Sequence, residues 1–371
     1  MFENFNVPQE LRPSDQRFGV GPSLIPNSHI SALLEQAQKI VGTSHRKPAV
    51  RKLCQQIQEG LKQYFDLPAG YEVIMGNGGA TFLFDMIGLG LVKKKSLHYV
   101  LGEFSSKWYK AHKLVPWLDV TKVEVDYGHG VHPQASADVD MICCTLNETS
   151  TGVQLTELPD VGAQTLLAVD ATSGAGQIKV DFNKVDLYFF SPQKVFAGEG
   201  GFYFAIMSPK ALARAKELEQ RETYRPEVMS WKNAIENSLK NQTYNTPAIS
   251  SLFLVNEQIK LMNQLGEAEV IRQAKEKLNL ITKWVESKSY LDFFVKQKEF
   301  RSQSVATIDV ESKYSVGDLC ERLRSLEVAI DIEGYRKLNR NQLRISLFHN
   351  IHYKDLEKLL KIISLAIESE K

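Results

Sequence analysis

Between about residue 70 and residue 210 the chain alternates short apolar runs with polar stretches. The runs YEVIM, LHYVLG, VDMICCTL, TLLAVDA, VDLYFFSP and GFYFAIM are bounded by Gly, Pro and Asp. Continuous apolar runs of this length fit strands buried on both faces. Thr81 to Gly90 and Ser105 to Lys113, lying between such runs, have helical character. That alternation favours an α/β layered sheet over a β-sandwich. From about Ala248 to Glu286 the pattern becomes long and helical, and VATIDV, VAIDI and LRISLF follow as shorter pieces. The expected organisation is an N-terminal segment over residues 1–17, a large lobe over 18–255 with a mixed, mostly parallel sheet flanked by helices, and a smaller α+β lobe over 256–371.

Composition narrows the function only by exclusion. The 371 residues are 43% hydrophobic and 24% charged, with 45 Lys and Arg against 44 Asp and Glu. A net charge of +1 gives no overall field for nucleic acid or an anionic membrane, so any anion site must be a local cluster. The N-terminus, MFENFNVPQELRPSDQ, lacks a basic start and an apolar core, and no apolar run approaches membrane-span length. A cytoplasmic protein is expected. Cys54, Cys143, Cys144 and Cys320 show no C-x-x-C spacing and are expected to be reduced and structural.

Chemistry enters with Asp170, in LLAVDATSGAG, an acid at the carboxyl end of a strand-like run. Ligands of α/β sheets bind outside the carboxyl ends of strands, which would aim this acid at a crevice; alone, an acid capping the next turn explains it as well. Lys194 ends the run VDLYFFSPQK. It is either paired with an acid or exposed past the strand, or else desolvated, which makes its amine a nucleophile able to form an imine. An imine-forming lysine together with a carboxylate that keeps a pyridine nitrogen charged is what pyridoxal phosphate chemistry needs. The segment GNGGATF, Gly76 to Phe82, between a strand and a helical stretch, suits a phosphate cradle. It matches neither G-x-G-x-x-G nor G-x-x-x-x-G-K-[ST].

FGVGPS, GTSHR, GNGGAT, NETSTGV, VDATSGAG, SPQK, NSLKNQTYNTPA and YRKLNRNQLR occur in this order from about Phe18 to about Phe348. In these blocks the chain resembles the phosphoserine aminotransferases, which are pyridoxal-phosphate-dependent transferases of fold type I and class V. The resemblance implies that Lys194 carries the cofactor as an imine and moves the proton, and that Asp170 pairs with the ring nitrogen. It places Thr149 at the phenolic oxygen, Phe104 against the ring, and Gly79, Ala80, Thr172 and Gln193 at the phosphate. Asn245 and Thr246 would reach that phosphate from a partner subunit, implying a homodimer with shared sites. His45, Arg46, Tyr335, Arg336 and Arg344 match the substrate-binding positions, with Arg344 as the α-carboxylate clamp. The implied reaction is reversible amino transfer between O-phospho-L-serine with 2-oxoglutarate and 3-phosphohydroxypyruvate with L-glutamate, in serine biosynthesis. 4-Phosphohydroxy-L-threonine, on the route to pyridoxine, is a second candidate substrate.

Three positions depart from the pattern. Ala80 stands where many members have arginine, Phe104 where Trp is common, and Tyr335 where His is common; Lys337 or Arg340 could replace the missing arginine. The alternatives are a serine or alanine–glyoxylate transaminase, a cysteine desulfurase, a non-catalytic protein keeping the fold for binding, and a nicotinamide oxidoreductase. The desulfurase needs a mobile nucleophilic cysteine. Val316, Leu319, Cys320 and Leu323 instead fall at helical spacing, which expects Cys320 in a core. No metal site is expected.

Overall fold

The structure is a computed structural model, and it describes residues 1–370. Helices α1 (Asn27–Ile40) and α2 (Pro48–Tyr64) lead into β1 (Glu72–Asn77), α3 (Gly79–Gly90), β2 (Lys95–Val100), α4 (Glu103–Lys113) and β3 (Asp119–Glu124). The strands β4 (Met141–Thr145), β5 (Asn147–Glu148), β6 (Val153–Gln154), β7 (Leu166–Asp170), β8 (Leu187–Phe190) and β9 (Phe202–Met207) follow, and then helices α5 (Pro209–Glu219), α6 (Trp231–Ser238) and α7 (Ile249–Leu265). Seven strands form one sheet in the order β1-β9-β8-β7-β4-β2-β3. β9 runs antiparallel to its neighbours β1 and β8, and the other pairings are parallel.

The apolar runs do not alternate because both faces of the sheet are covered. Tyr188 and Phe190 enter one core, shared with residues of α2 and α7, while Leu187 and Phe189 enter a second core with residues of α3, α5 and α6. Phe189 is fully buried, and truncating such a side chain to Ala typically costs about 3–5 kcal/mol. β3 was not legible in the sequence. It is the edge strand, and of its six residues only Val120 is buried, so no apolar run marks it.

The carboxyl-terminal part contains α8 (Glu267–Glu286), β10 (Leu291–Phe293), β11 (Val305–Val310), α9 (Val316–Ser325), β12 (Gln342–Ser346) and α10 (Tyr353–Ser369). β10, β11 and β12 form a three-stranded antiparallel sheet. The long helical stretch is broken at Gly266, whose φ of +82° is a left-handed conformation that suits glycine. Residue 255 therefore lies inside α7, which packs on α1 and α2. The VAIDI piece is not a strand: the segment makes only isolated bridges, Arg17 with Ile330 and Glu333 with Leu343. The first residues of the chain dock on this part as well. Ser14 N–H donates to Asp355 at 2.8 Å, Arg12 donates to the Leu326 carbonyl at 2.8 Å, and Phe2 is buried. Among the described residues no helix is long and apolar enough to cross a membrane.

Candidate active site

β7 and β8 are adjacent and parallel, with Asp170 paired to Phe189 in register. The loop after β8 returns Lys194 to the carboxyl end of the sheet, where it lines a cavity of about 310 Å³ together with Asp170. Both residues are buried, at 4% and 6% exposure for Asp170 and Lys194. Both hydrogen bonds that Asp170 accepts go to Oδ1, from the Thr172 N–H at 3.0 Å and the Thr172 hydroxyl at 2.6 Å. Burial pushes the acid's pKa up, against those bonds and the nearby Lys194. Burial likewise pushes Lys194 down to about 8, opposed by Asp170 and reinforced by Arg344. The two shifts share one cause, desolvation, and leave the carboxylate in want of a cation and the amine in reach of its neutral form.

Lys194 Nζ donates to Thr149 Oγ1 at 2.8 Å and lies 5.3 Å from the centre of the Phe104 ring. Thr149 sits in the tight turn joining β5 to β6, anchored through its hydroxyl to Ser173 Oγ at 2.8 Å. Gly21 closes the other side of the lysine. A Cβ there would stand 2.6 Å from Lys194 Cε, and its φ is +134°.

The phosphate cradle predicted at GNGGATF is the start of α3. Gly78 precedes the helix with φ +124° and Gly79 opens it with φ +74°, and no side chain caps the first turn. Gly78, Gly79, Ala80 and Thr81 all line the cavity, so the uncapped N–H groups and the helix dipole face the space where an anion would sit. Thr172, Gln193 and Ser191 line it too, and Gln193 Oε1 is buried without a partner.

Arg344 enters from β12 of the smaller sheet. Its Cζ lies 5.2 Å from the Tyr335 ring centre, one Nη donates weakly to the Thr149 carbonyl at 3.4 Å, and its Nε is buried without a partner. Burial pushes its pKa down to about 10, and no ion pair among the described residues holds it. Tyr335 in turn packs against Phe104, ring centres 5.9 Å apart.

The remaining sequence-expected residues are not brought to this cavity. Arg336 is exposed beside it. Lys337 and Arg340, expected as replacements for an arginine at Ala80, are engaged elsewhere: Lys337 pairs with Glu103 at 2.8 Å, and Arg340 forks onto Asp309 at 3.0 and 2.6 Å. His45 is buried with Nε2 unpartnered, while Arg46, Asn245 and Thr246 are exposed. The chain stretches that follow His45 and precede Asn245 meet where Arg51 Nε donates to the Lys240 carbonyl at 3.1 Å. Asn77, next to the cradle, donates to the Thr246 carbonyl at 2.9 Å.

The sequence reading missed Thr145, Asn147, Ser191 and Gly21 in the cavity wall, and Glu148 and Ser173 behind it. Polar residues inside an apolar strand end, as in CCTLNETS, were the available signal. A larger cavity, about 580 Å³, lies by α7, α8 and α10 and contains neither Asp170 nor Lys194. Its buried Lys277 donates to the Phe348 and His349 carbonyls at 2.6 and 3.3 Å. His98, His112 and Cys143 cluster behind the sheet. There Trp108 Nε1 donates to His112 Nε2 at 3.0 Å, which puts the ring proton on Nδ1, 3.1 Å from His98 Nε2, so the pair is a hydrogen-bonded one. All four cysteines are buried and unbridged, and Cys320 packs in α9 with Val316, Leu319 and Leu323, as the spacing predicted.

Residues 18–359 match the family Aminotransferase class-V, and the chain belongs to that family. A phosphoserine aminotransferase of Corynebacterium glutamicum strain R is 41% identical over 365 residues, covering 98% of this chain and 97% of the relative. The crystal structure of a phosphoserine aminotransferase from Cytophaga hutchinsonii is similar with a TM-score of 0.87 at 27% identity, covering 95% of this chain and 98% of that one. A phosphoserine aminotransferase from Trichomonas vaginalis, solved with pyridoxal phosphate bound, shares the fold with a TM-score of 0.82 at 19% identity, covering 94% and 99%.

Proposed function

We propose that this protein is a phosphoserine aminotransferase that uses pyridoxal phosphate to move an amino group reversibly between O-phospho-L-serine and 2-oxoglutarate. The observation that carries the reading is the meeting of Asp170 and Lys194 at adjacent strand ends in one cavity, beside an uncapped helix start. The donor set fits the cofactor. The free Oδ2 of Asp170 suits a pyridinium N–H, the α3 start with Thr172 and Gln193 suits a phosphate, and Phe104 offers an aromatic face. When bound, pyridoxal phosphate supplies a carbonyl carbon that carries the amino group and a ring that accepts electrons from the α-carbon.

The residues of the chain do the rest. Asp170 holds the proton on the ring nitrogen. Lys194, whose neutral form burial brings within reach, provides the amine and moves the proton at the substrate α-carbon. Thr149, whose hydroxyl donates to Ser173, would turn that proton to the phenolic oxygen of a bound cofactor, and Arg344, lacking an acid partner, would clamp the α-carboxylate. Arg336, Tyr335, His45 and Arg46 receive the phosphate or the distal carboxylate. His45, Arg46, Asn245 and Thr246 lie off their own cavity, and three of them are exposed, which supports a homodimer in which a second copy delivers them. The same proposal includes a cofactor lobe and a smaller carboxyl-terminal lobe meeting at this site, and a role in cytoplasmic serine biosynthesis.

The test compares O-phospho-L-serine with L-serine as amino donor to 2-oxoglutarate, using protein saturated with pyridoxal phosphate. Phosphoserine should be used and serine should not. Equal use of serine would point to a serine transaminase and remove the roles given to His45, Arg46 and Arg336.

A further inference from the structure

Glu148 is fully buried in β5, and five donors converge on its carboxylate. The Phe104 N–H donates to Oε1 at 3.2 Å, the Ser105 N–H and hydroxyl donate to Oε2 at 2.9 and 2.8 Å, and the Ser150 N–H and hydroxyl donate to Oε1 at 3.3 and 2.6 Å. No ion pair neutralises it among the described residues. Its counter-charge is the start of α4, whose first N–H groups it receives. The packing is tight: a Cβ on Gly102 would stand 2.6 Å from Glu148 Cγ.

These bonds join two elements that each deliver one contact to Lys194. The β5–β6 turn carries Thr149, 2.8 Å from Nζ, and the α4 start carries Phe104, whose ring centre is 5.3 Å from Nζ. We infer that Glu148 is a positioning residue: its carboxylate locks the turn bearing Thr149 to the helix start bearing Phe104, and through them sets the surroundings of Lys194. Burial dominates the proton affinity of Lys194 and lowers it; Asp170 opposes that most strongly, and the Glu148 charge adds a smaller effect in the same sense as Asp170. Unlike Asp170, it lies outside the cavity wall. It therefore tunes the amine without touching the cofactor.

The inference rests on the pyridoxal phosphate reading, and one titration separates the two. Purified holoenzyme is followed by its visible absorbance across pH. A wild-type protein with no cofactor band attached to Lys194 sinks the reading itself. With the band present, Glu148→Gln removes the charge and turns an amide N–H toward the donors of α4. The pH midpoint of the band should then fall by about half a unit or more, and cofactor affinity should drop severalfold. Glu148→Asp keeps the charge and shortens the reach, so the midpoint should stay near wild type while kcat falls and KM changes little. If Glu148→Gln lowers only the melting temperature, leaving midpoint and cofactor affinity unchanged, the residue merely caps α4 and the inference is wrong. Should that variant not fold, Ser105→Ala removes one donor to Glu148 together with the acceptor of the Leu101 and Gly102 N–H groups; it should weaken the visible circular dichroism of the bound cofactor and its retention, and unchanged values of both would overturn the inference equally.

Discussion

Lys194 Nζ lies 2.8 Å from Thr149 Oγ1, a residue 45 positions earlier in the chain, and no carboxylate takes that place. A buried amine held by a neutral hydroxyl is costly as an ammonium, and the cost is visible in its proton affinity.

Removing that amine should therefore stabilise the apoprotein. The folded value of about 8 lies below the ordinary 10.5, so between these pH values the unfolded chain binds more protons and stability rises with pH. The penalty is complete below about pH 8 and disappears above 10.5. Lys194→Met should gain up to about 3 kcal/mol at pH 7, measured by urea denaturation of the apoprotein, with the gain shrinking from pH 8 upward and vanishing above 10.5. A gain independent of pH would mean that burial of the charge is not the cause. With cofactor present, the same variant should show no absorbance band and no turnover.

Asp170→Ala should retain less pyridoxal phosphate and lose about a hundredfold or more in kcat, because the ring nitrogen loses the group that keeps it charged. Fluorescence titration of the cofactor and a steady-state assay check both parts. Normal turnover would remove the role given to Asp170.

Arg344→Ala should raise KM for both phosphoserine and glutamate by about 10- to 100-fold, the worth of a charge-assisted hydrogen bond. Cofactor content, read from the visible spectrum, should not change. Loss of the cofactor in this variant would show that Arg344 supports the fold of the site instead.

Gly21→Ala should abolish the band by crowding the Lys194 side chain, with the lysine itself left in the sequence. The new methyl would collide with Lys194 Cε at 2.6 Å, and the backbone φ of +134° strains any side chain. A fully loaded, active Gly21→Ala protein would mean that the lysine has room to move aside.

Mixing two inactive variants tests the shared site. Lys194→Ala and Arg46→Ala, unfolded and refolded together, should recover about a quarter of wild-type activity, since half the dimers are mixed and each mixed dimer has one intact site. No recovery, with mixed dimers shown to form, would place Arg46 in the site of its own chain or outside any site.

How far the sequence could be read depended on what each residue answers to. The runs LLAVD and LYFF announced buried strands because apolar residues on both faces are a local signal, and Asp170 and Lys194 stood out against them as polar ends. Cys320 was assignable to a core from spacing alone. The edge strand β3 was silent because its solvated face leaves no pattern, and Gly266 gave little warning of the break between α7 and α8. Glu148 was passed over although its neighbour Thr149 was not, since nothing in NETSTG says that an acid will be met by a helix start 43 residues earlier in the chain.

By itself the sequence determined the layered α/β class, and it singled out Asp170, Lys194 and the GNGGAT segment, which the structure places around one cavity, because strand ends and glycine turns are set by nearest neighbours along the chain. Only the tertiary structure decided which charges are free. It engaged Lys337 with Glu103 and Arg340 with Asp309, left Arg344 unpaired beside Tyr335, and kept His45, Arg46, Asn245 and Thr246 off their own cavity. Pairing and exposure of charges depend on contacts between residues tens to hundreds of positions apart, which linear spacing does not encode.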